Sequence, residues 1–377
     1  MKTRAALLTG VGERWIVDDI ELGELEPHDV LVEIKAAGLC HSDEHMSTGD
    51  MVIPEPVRLS MGMPSQFPIV GGHEGAGVVV EVGSAVEMFE VGDHVVTSFM
   101  PACGMCPSCV NGRQYLCDMG ASLLQKSEVA KHVWRGEHTN VYSNLGTFAE
   151  YALVHQFSLI KVENHISFDV AALLSCGVPT GWGAAVVRAG TQPGDIVAVV
   201  GIGGIGINAV QGAAAAGARV VIAIDPVEFK QKKALEFGAT HTASSIDEAR
   251  TLINDLSRGR LCDRVIVSPS VLYGPILSEA MSITGKGSTC VAVGVAPFTQ
   301  TEIPMALHDL VLWNKELKGT VYGSMNPRTA IPQLVAMHEA GRLKLDELIT
   351  RRYSLDEVNK GYDDLRNGEI LRGVIIV

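Results

Sequence analysis

Half of the cysteines of this chain lie in one short segment. Cys103, Cys106, Cys109 and Cys117 are separated by two, two and seven residues. Four thiolates at this spacing can complete the tetrahedral coordination of a zinc ion and leave no position for a substrate. The spacing therefore predicts a structural zinc site. An iron–sulfur cluster and unliganded thiols are the alternatives, but no electron-transfer context accompanies the motif.

A second set of metal-binding side chains is dispersed along the chain. Cys40 lies in the segment Gly-Leu-Cys-His-Ser-Asp, His73 in Gly-Gly-His-Glu-Gly, and Cys176 in Ser-Cys-Gly-Val-Pro-Thr. Two thiolates and one imidazole would leave the fourth position of a zinc ion open to a substrate oxygen, as Lewis-acid catalysis requires. Taken singly, such residues usually belong to a packed core. Spacing alone does not bring these three together.

A glycine-rich motif follows the apolar segment Ile196–Val200 and opens an alanine-rich segment of helical length. Its pattern, Gly-x-Gly-x-x-Gly, permits a tight turn, a close approach of the backbone to a pyrophosphate, and close packing of a helix on a strand. The N-terminus of that helix faces the phosphate charge. The predicted cofactor-binding residues of this turn are Gly201, Gly203, Gly204, Ile205 and Gly206.

An acidic residue after the next strand indicates which dinucleotide binds. Asp225 follows the segment Val220–Ile224. A carboxylate at this place hydrogen-bonds the ribose hydroxyls of NAD and repels the 2′-phosphate of NADP. Lys230 lies further along the chain, and its positive charge would tolerate some negative charge on the cofactor. NAD is therefore the predicted cofactor.

The elements that position these groups differ between the two parts of the chain. Before Cys176 the apolar runs, such as Asp29–Ala36 and Gly77–Val82, are rich in β-branched residues and predict strands. From about Thr191, strand-like runs alternate with segments of helical length, which predicts a parallel, doubly wound sheet in an α/β protein. The last strand, Gly373–Val377, is expected to return to the first domain. Two irregular stretches, at 50–67 and 118–146, are expected to form long surface loops.

Length and charge narrow the possible functions. A chain of 377 residues exceeds what one hydrophobic core usually serves, so two domains are expected. A formal net charge of -13 argues against a nucleic-acid partner and favours a small molecule. The first residues offer no apolar stretch for export, and polar residues interrupt the most apolar region, so we expect a cytoplasmic protein without a membrane span. In that reducing compartment, metal ligation explains the cysteines better than disulfides do.

Taken together, these motifs resemble those of the zinc-containing medium-chain alcohol dehydrogenases, in their order and separations, over essentially the whole chain. The resemblance implies a GroES-like β-rich catalytic domain, 1–177 and 321–377, and a Rossmann domain, 178–320. It implies two zinc ions per chain, NAD, a small alcohol or aldehyde substrate, and a homodimer or homotetramer built through the Rossmann sheets.

The resemblance also implies roles for individual residues. Cys40, His73 and Cys176 would hold the catalytic zinc, Glu74 would lie behind it and coordinate it transiently, and Asp43 would orient His73. Ser42 and His45 would form a proton relay, in which the alcohol proton passes through the serine hydroxyl and the nicotinamide ribose to a solvent-facing histidine. The other implied contacts are His41 and Arg372 near the pyrophosphate, Thr180 and Val293 against the nicotinamide, and Phe99 in the substrate pocket.

More narrowly, the segment after Cys40 and the two long loops resemble the nicotinoprotein branch, whose members retain NAD and accept N,N-dimethyl-4-nitrosoaniline (NDMA) as oxidant. A thiol-adduct-dependent formaldehyde dehydrogenase is a related alternative, although the chain lacks the basic residue that glutathione-using members carry soon after the fourth cysteine of the cluster. A zinc-free quinone reductase of the same architecture would need none of the metal ligands. A zinc-ribbon binding module is disfavoured by the acidic charge.

Overall fold

The computed structural model describes residues 1–120 and 132–377, which form two compact units. The first unit comprises Met1–Cys176, Asn326–His338 and Leu345–Val377, and the second comprises Gly177–Met325 and Glu339–Lys344. Among the described residues, none of the helices combines the length and the apolar composition that a bilayer span requires.

Strands predominate in the first unit, whereas strands and helices alternate in the second. The strands are β1 (Lys2–Leu8), β2 (Ile16–Glu21), β3 (Asp29–Gly38), β4 (Ile69–Val70), β5 (Gly75–Val82), β6 (His94–Thr97), β7 (His132–Trp134), β8 (Glu137–Val141), β9 (Tyr151–His155), β10 (Leu159–Lys161), β11 (Ile196–Val200), β12 (Val220–Ile224), β13 (His241–Ala243), β14 (Cys262–Val267), β15 (Thr284–Ala292), β16 (Glu316–Gly319), β17 (Ile349–Ser354) and β18 (Arg372–Ile376). The helices are α1 (His41–Thr48), α2 (Glu55–Ser60), α3 (Pro107–Val110), α4 (Phe168–Leu173), α5 (Gly177–Gly183), α6 (Gly204–Ala215), α7 (Glu228–Glu236), α8 (Ile246–Ser257), α9 (Gly274–Ile283), α10 (Leu307–Leu312), α11 (Pro327–Glu339) and α12 (Val358–Arg366).

The first unit is built from two β-structures. One is a closed barrel with the strand order β1-β2-β7-β8-β4, and the other is a seven-stranded sheet with the order β10-β6-β5-β3-β18-β17, in which β9 also pairs with β3. The last strand, β18, pairs antiparallel with β3 and parallel with β17, which confirms the predicted return of the chain end to the first domain.

The second unit contains one six-stranded parallel sheet with the order β13-β12-β11-β14-β15-β16. Every residue of β11 and β12 is buried, as expected for central parallel strands that helices cover on both faces. The predicted α/β fold with a parallel, doubly wound sheet is confirmed.

The two compact units differ from the predicted domain division at Gly177 and in two short segments. Residues 321–325 and 339–344 belong to the second unit rather than to the first. Gly323 packs so closely on α5 that an added Cβ would overlap the backbone oxygen of Pro179. The side chain of Gln211 exchanges hydrogen bonds with the backbone N–H and C=O of Lys344. These contacts join residues that are distant in the sequence, so no local sequence pattern predicts them.

The expected loop at 118–146 is also partly wrong. Residues 121–131 lie outside the described part of the chain, but β7 and β8 follow them as an antiparallel hairpin. Arg135 and Gly136 connect the two strands with positive φ angles of 52° and 84°, the backbone conformation of a two-residue hairpin turn. In the stretch 50–67, only α2 interrupts the irregular chain.

Candidate functional site

The structure brings together the dispersed metal-binding side chains. One ligand atom from each of Cys40, His73, Glu74 and Cys176 lies within 4.8 Å of all the others, and all four residues are buried. Sulfurs that share a zinc at about 2.3 Å lie about 3.8 Å apart, so the cluster matches the size of a zinc site. The spacing of these residues in the sequence did not predict that they would lie together.

Hydrogen bonds between hydroxyl groups and backbone hold the ligand-bearing segments in place. Cys40 follows β3 and is the N-cap of α1, His73 precedes β5, and Cys176 follows α4. The Thr97 hydroxyl donates to the carbonyl of His73 at 3.2 Å. The hydroxyl oxygen of Ser175, the residue before Cys176, lies 3.4 Å from the hydroxyl oxygen of Thr97. Thr97 therefore connects the histidine segment to the second cysteine segment.

The carboxylate of Asp43 orients His73. Its Oδ2 lies 2.8 Å from Nδ1 of His73, and its Oδ1 accepts a hydrogen bond from the backbone N–H of Gly72 at 2.7 Å. With Nδ1 engaged, Nε2 is the nitrogen left to face the thiols. A carboxylate behind a ligating imidazole is the usual arrangement at zinc sites.

The two thiols of the cluster, Cys40 and Cys176, are joined by a hydrogen bond that shifts their pKa values in opposite directions. The hydrogen bond from Cys176 lowers the pKa of Cys40 well below its usual value, and the same bond raises the pKa of Cys176 well above it. Burial lowers the pKa of His73, but the charges of Asp43 and Cys40 raise it by more, so the net shift is upward. Such a buried group of thiolate, thiol and imidazole suits a divalent cation, which displaces these protons on binding.

Glu74 and Arg372 form a buried ion pair beside this cluster. The guanidinium of Arg372 donates to Oε2 of Glu74, and burial raises the pKa of Glu74 to about 7 even though Arg372 opposes the shift. Gly38 makes room for the pair, because an added Cβ there would overlap the Glu74 carboxylate. The sequence predicted a pyrophosphate contact for Arg372, and the partner that the structure shows for it is Glu74.

The candidate relay residues lie on α1. The Ser42 hydroxyl is 3.7 Å from the sulfur of Cys40. The ring of half-buried His41 lies 6.1 Å from that of His45. His45 is only 2% exposed, so the expectation that it faces solvent is wrong. Helix α1 ends at Thr48, and Gly49 and Met51 both donate backbone hydrogen bonds to the carbonyl of His45, which folds the following turn back towards it. The Nδ1 atom of His45 lies 3.4 Å from the carboxylate of Asp50.

Two aromatic rings pack against the imidazole of His73. The ring of Phe99 lies edge-on to His73 at 5.9 Å, and the ring of Tyr142 does so at 5.3 Å. Phe99 was singled out from the sequence, and Tyr142 was not. Tyr142 precedes a turn in which Ser143 and Asn144 have positive φ. No spacing rule connects it to His73, so only the fold reveals this neighbour.

The four clustered cysteines also converge. One sulfur each from Cys103, Cys106, Cys109 and Cys117 lies within 4.8 Å of the others. Backbone N–H groups point at the sulfurs: those of Cys109 and Asp118 donate to Cys106 at 3.4 Å. Although burial raises it, these N–H donors lower the pKa of Cys106 to about 7. Four sulfurs supplied with N–H donors fit a closed tetrathiolate zinc site.

The glycines of the glycine-rich turn differ in how closely other atoms surround them. Gly201 has φ of +87°, and a Cβ on Gly206 would overlap the carbonyl of Gly201. By contrast, a Cβ on Gly203 would meet no heavy atom within 4 Å. Gly203 also caps α6 without a side-chain acceptor, so the first N–H groups of α6 stay available. The space beside Gly203 and these N–H groups suit a pyrophosphate.

The remaining predicted cofactor contacts lie in the second unit as well. Asp225 is buried, and its carboxylate accepts a hydrogen bond from the backbone N–H of Val227 at 2.9 Å. Lys230 is half-buried on α7. Thr180 on α5 and Val293 after β15 are buried, and the Thr180 hydroxyl makes no hydrogen bond within the described residues.

Comparison with known proteins identifies relatives over the full length. Residues 26–164 match the model of the alcohol dehydrogenase GroES-like domain, and residues 204–339 match that of the zinc-binding dehydrogenases. The chain is 44% identical to an NDMA-dependent alcohol dehydrogenase of Amycolatopsis methanolica, covering 100% of this chain and 99% of the relative. It is 42% identical to alcohol dehydrogenase B of Mycobacterium tuberculosis, over 100% and 98%. Among solved structures, an alcohol dehydrogenase zinc-binding domain protein from Burkholderia ambifaria superposes with a TM-score of 0.88 at 30% identity, over 100% and 99% of the two chains.

Proposed function

Because the chain belongs to the zinc-binding alcohol dehydrogenases with a GroES-like domain, we propose that it oxidises primary alcohols to aldehydes, and catalyses the reverse, with NAD as the hydride acceptor. The observation that carries the proposal is the buried group of Cys40, His73 and Cys176. Two sulfurs and one nitrogen leave a fourth position for the substrate oxygen.

Different residues of the chain bind the metal, orient a ligand and accept the proton of the alcohol. When bound, zinc lowers the pKa of the alcohol hydroxyl, and NAD accepts the hydride. Cys40, His73 and Cys176 hold the metal, while Asp43 fixes the orientation of His73. Ser42 accepts the proton that the alcohol loses.

The relay ends at a different group from the one expected. His45 is buried and serves as the base beyond Ser42, whereas Asp50 beside it has a side chain that is 23% exposed. The proton therefore leaves through the carboxylate of Asp50. Phe99 and Tyr142, whose rings face His73, favour an alcohol with an apolar tail.

The second unit supplies the cofactor site. Gly203 and the N-terminus of α6 receive the pyrophosphate, and Asp225 selects NAD by its negative charge. We propose in addition that NAD stays bound between turnovers and that NDMA reoxidises it, since a relative with 44% identity carries that dependence in its name. A nicotinamide absorbance band that survives gel filtration of the purified protein is the expected result.

Metal analysis and an alcohol panel test the proposal together. We expect about two zinc ions per chain and turnover of primary alcohols with NAD or NDMA. Cys40→Ser should remove one zinc and abolish turnover with little loss of stability, because the four-cysteine site remains intact. A Cys40→Ser variant that keeps both zinc ions and full activity would refute the proposed catalytic site.

The alternatives have distinct outcomes in the same panel. A thiol-adduct formaldehyde dehydrogenase would prefer S-hydroxymethyl thiol adducts over simple primary alcohols. A zinc-free quinone reductase would contain no zinc and would reduce quinones. The two convergent ligand groups disfavour the second of these.

The proposed oligomer is a homodimer or homotetramer formed through the parallel sheets. Strand β16 lies at the end of the six-stranded sheet, and no strand of the described residues pairs with its outer edge, so another strand can pair there. The nearby helix α10 exposes Leu307, Val311 and Leu312, each more than 70% accessible. A second copy of the chain would cover both features.

A further inference from the structure

One peptide group of the glycine-rich turn is hydrogen-bonded by side chains at both of its ends. This group joins Gly201 to Ile202. The hydroxyl of Ser268 donates to its carbonyl oxygen at 2.9 Å, and the carboxylate of Asp225 accepts from its N–H at 2.8 Å. Asp225 follows β12 and Ser268 follows β14, which are the two strands on either side of β11. The peptide group is therefore held from both neighbouring strands.

The surrounding backbone places the Ser268 hydroxyl at this carbonyl. The N–H of Ser268 donates to the carbonyl of Val200 at 2.7 Å, at the end of the pairing between β11 and β14. Ser268 is only 7% exposed. An added Cβ on Gly201 would lie 2.6 Å from the carbonyl oxygen of Ser268, and one on Gly206 would lie 3.0 Å from its hydroxyl oxygen. Main-chain contacts thus keep the hydroxyl within reach of Gly201.

The two hydrogen bonds restrict a residue that is intrinsically flexible. Gly201 has φ of +87°, and a glycine tolerates many backbone conformations. A peptide group is planar, so its carbonyl and its N–H rotate together. Rotation of the group between Gly201 and Ile202 would therefore break the bonds to Ser268 and to Asp225 at the same time. The turn is held in one of the several conformations that its glycine would permit.

The restraint matters for a bound dinucleotide because this peptide group directly precedes α6. The first N–H groups of α6 are the proposed donors to the pyrophosphate. A ligand that must order its own site loses affinity, whereas a preorganised site avoids that cost. Ser268 lies 67 residues after Gly201, so the glycine motif in the sequence does not include it.

We propose that Ser268 is a positioning residue of the cofactor site. Together with Asp225 it holds the peptide group between Gly201 and Ile202 in one orientation, so the turn is formed before the pyrophosphate binds, and NAD leaves slowly. Ser268 acts through the backbone of the turn and not by contact with NAD. The inference rests on the proposed binding and retention of NAD at this turn.

Three ligands test this role on the zinc-loaded, cofactor-stripped protein. Ser268→Ala removes only the hydroxyl. We expect the affinities for NADH and for ADP-ribose to fall about fivefold, the value of one ordinary hydrogen bond. The dissociation rate of NADH, followed by its fluorescence during displacement with excess ADP-ribose, should rise by a similar factor. Adenosine has no pyrophosphate, so its affinity, measured by competition with NADH, should stay unchanged.

Ser257→Ala is the matched control. Ser257 is 1% exposed in the same unit, and its hydroxyl donates to the carbonyl of Asn254 at 3.4 Å and accepts from the N–H of Leu261 at 2.9 Å. The substitution therefore also removes a buried hydroxyl that bonds the backbone. We expect it to lower the melting temperature, as Ser268→Ala does, and to leave the binding of NADH and ADP-ribose unchanged.

Hydrogen exchange at one amide reports the restraint without any ligand. In the cofactor-stripped protein, Ser268→Ala should accelerate exchange of the Ile202 N–H about fivefold. The acceptor of that N–H, Asp225, is unaltered in this variant, so the acceleration would come from the loss of the bond at the other end of the peptide group. Ser257→Ala should leave this exchange rate unchanged.

The outcomes separate this inference from the proposed function. Unaltered affinity of Ser268→Ala for ADP-ribose, or an unaltered exchange rate at Ile202, would overturn the inference. So would equal losses for adenosine and ADP-ribose, or equal effects of Ser257→Ala and Ser268→Ala on binding, because either would indicate a general disturbance of the unit. If the unaltered protein bound neither NADH nor ADP-ribose, the proposed function would fail instead, while faster exchange at Ile202 would still report the restraint.

Discussion

The carboxylate of Asp225 accepts a hydrogen bond from the backbone N–H of Ile202 at 2.8 Å. Ile202 lies inside the glycine-rich turn, and Asp225 follows the neighbouring strand β12. The residue proposed to select NAD therefore also holds the turn that would receive the pyrophosphate. One side chain thus carries both the proposed selection of NAD and the observed contact with the turn.

Two substitutions of Asp225 separate these roles. Asp225→Asn removes the negative charge but retains an oxygen that can accept from Ile202. We expect it to raise the kcat/KM ratio of NADP to NAD at least about tenfold, since a charge repulsion near the 2′-phosphate is lost, and to lower the melting temperature less than Asp225→Gly does, because only one of the two backbone donors loses its acceptor. Asp225→Gly should raise the ratio as well and also lower the free energy of unfolding by about 1 kcal/mol or more, because both backbone donors lose their acceptor. An unaltered cofactor ratio in both variants would show that Asp225 does not contact the ribose.

The glycines of the same turn offer a matched pair. Gly203→Ala places a Cβ in open space, so the free energy of unfolding without cofactor should change by less than about 0.5 kcal/mol, while NAD affinity falls. Gly206→Ala forces a Cβ against the carbonyl of Gly201 and should destabilise the protein by about 2 kcal/mol or more. Urea denaturation of the cofactor-stripped protein and calorimetric titration with NAD distinguish the two effects. Unimpaired NAD binding by Gly203→Ala would contradict the proposed pyrophosphate position.

Removal of one sulfur tests the four-cysteine site. Cys106→Ala should release one zinc ion and lower the free energy of unfolding by more than about 3 kcal/mol, because binding to a closed structural site contributes directly to folding. Met105→Ala is the matched control, since Met105 is 68% exposed in the same segment. Zinc content and thermal unfolding are the measurements. Loss of turnover by Cys106→Ala with unchanged melting would argue against a structural role.

The carboxylate behind His73 should affect metal affinity more than folding. We expect Asp43→Asn to weaken zinc binding at the Cys40 site about 10-fold to 100-fold, because His73 loses the acceptor that orients it. Asp169→Asn is the control, since Asp169 pairs with Arg352 at 2.6 Å and is not among the grouped metal-binding residues. Competition with a chromophoric chelator measures the affinity. Equal effects of the two substitutions would indicate that Asp43 has no special relation to the metal.

The proposed interface between copies of the chain depends on α10. Replacing both Val311 and Leu312 by lysine should dissociate the oligomer, because each side chain is 77% exposed in the described chain and burial of a charge without a partner is costly. Val187→Lys, at a position that is 50% exposed on the same unit, should leave assembly intact. Sedimentation velocity at several protein concentrations gives the result. Persistence of the oligomer in the double variant would exclude α10 from the interface.

The sequence by itself determined the features that depend on local pattern. The apolar runs of β11 and β12 predicted the parallel sheet, because strands buried on both faces require continuous apolar residues. The glycine-rich turn was also predicted from local pattern. A Cβ on Gly206 would overlap the carbonyl of Gly201, which is only five residues away, so the need for glycine at this position arises within the motif itself. The four clustered cysteines were grouped correctly, because so short a segment can bring its own sulfurs together.

Tertiary structure alone decided the rest of the site. Cys40, His73 and Cys176 meet because the strands around them pair across long intervals and because Thr97 and Ser175 connect their segments, neither of which a local pattern records. The burial of His45 and the approach of Tyr142 to His73 were likewise not predicted. A side chain's exposure and its neighbours depend on how distant segments pack, and their separation along the chain carries no information about that packing.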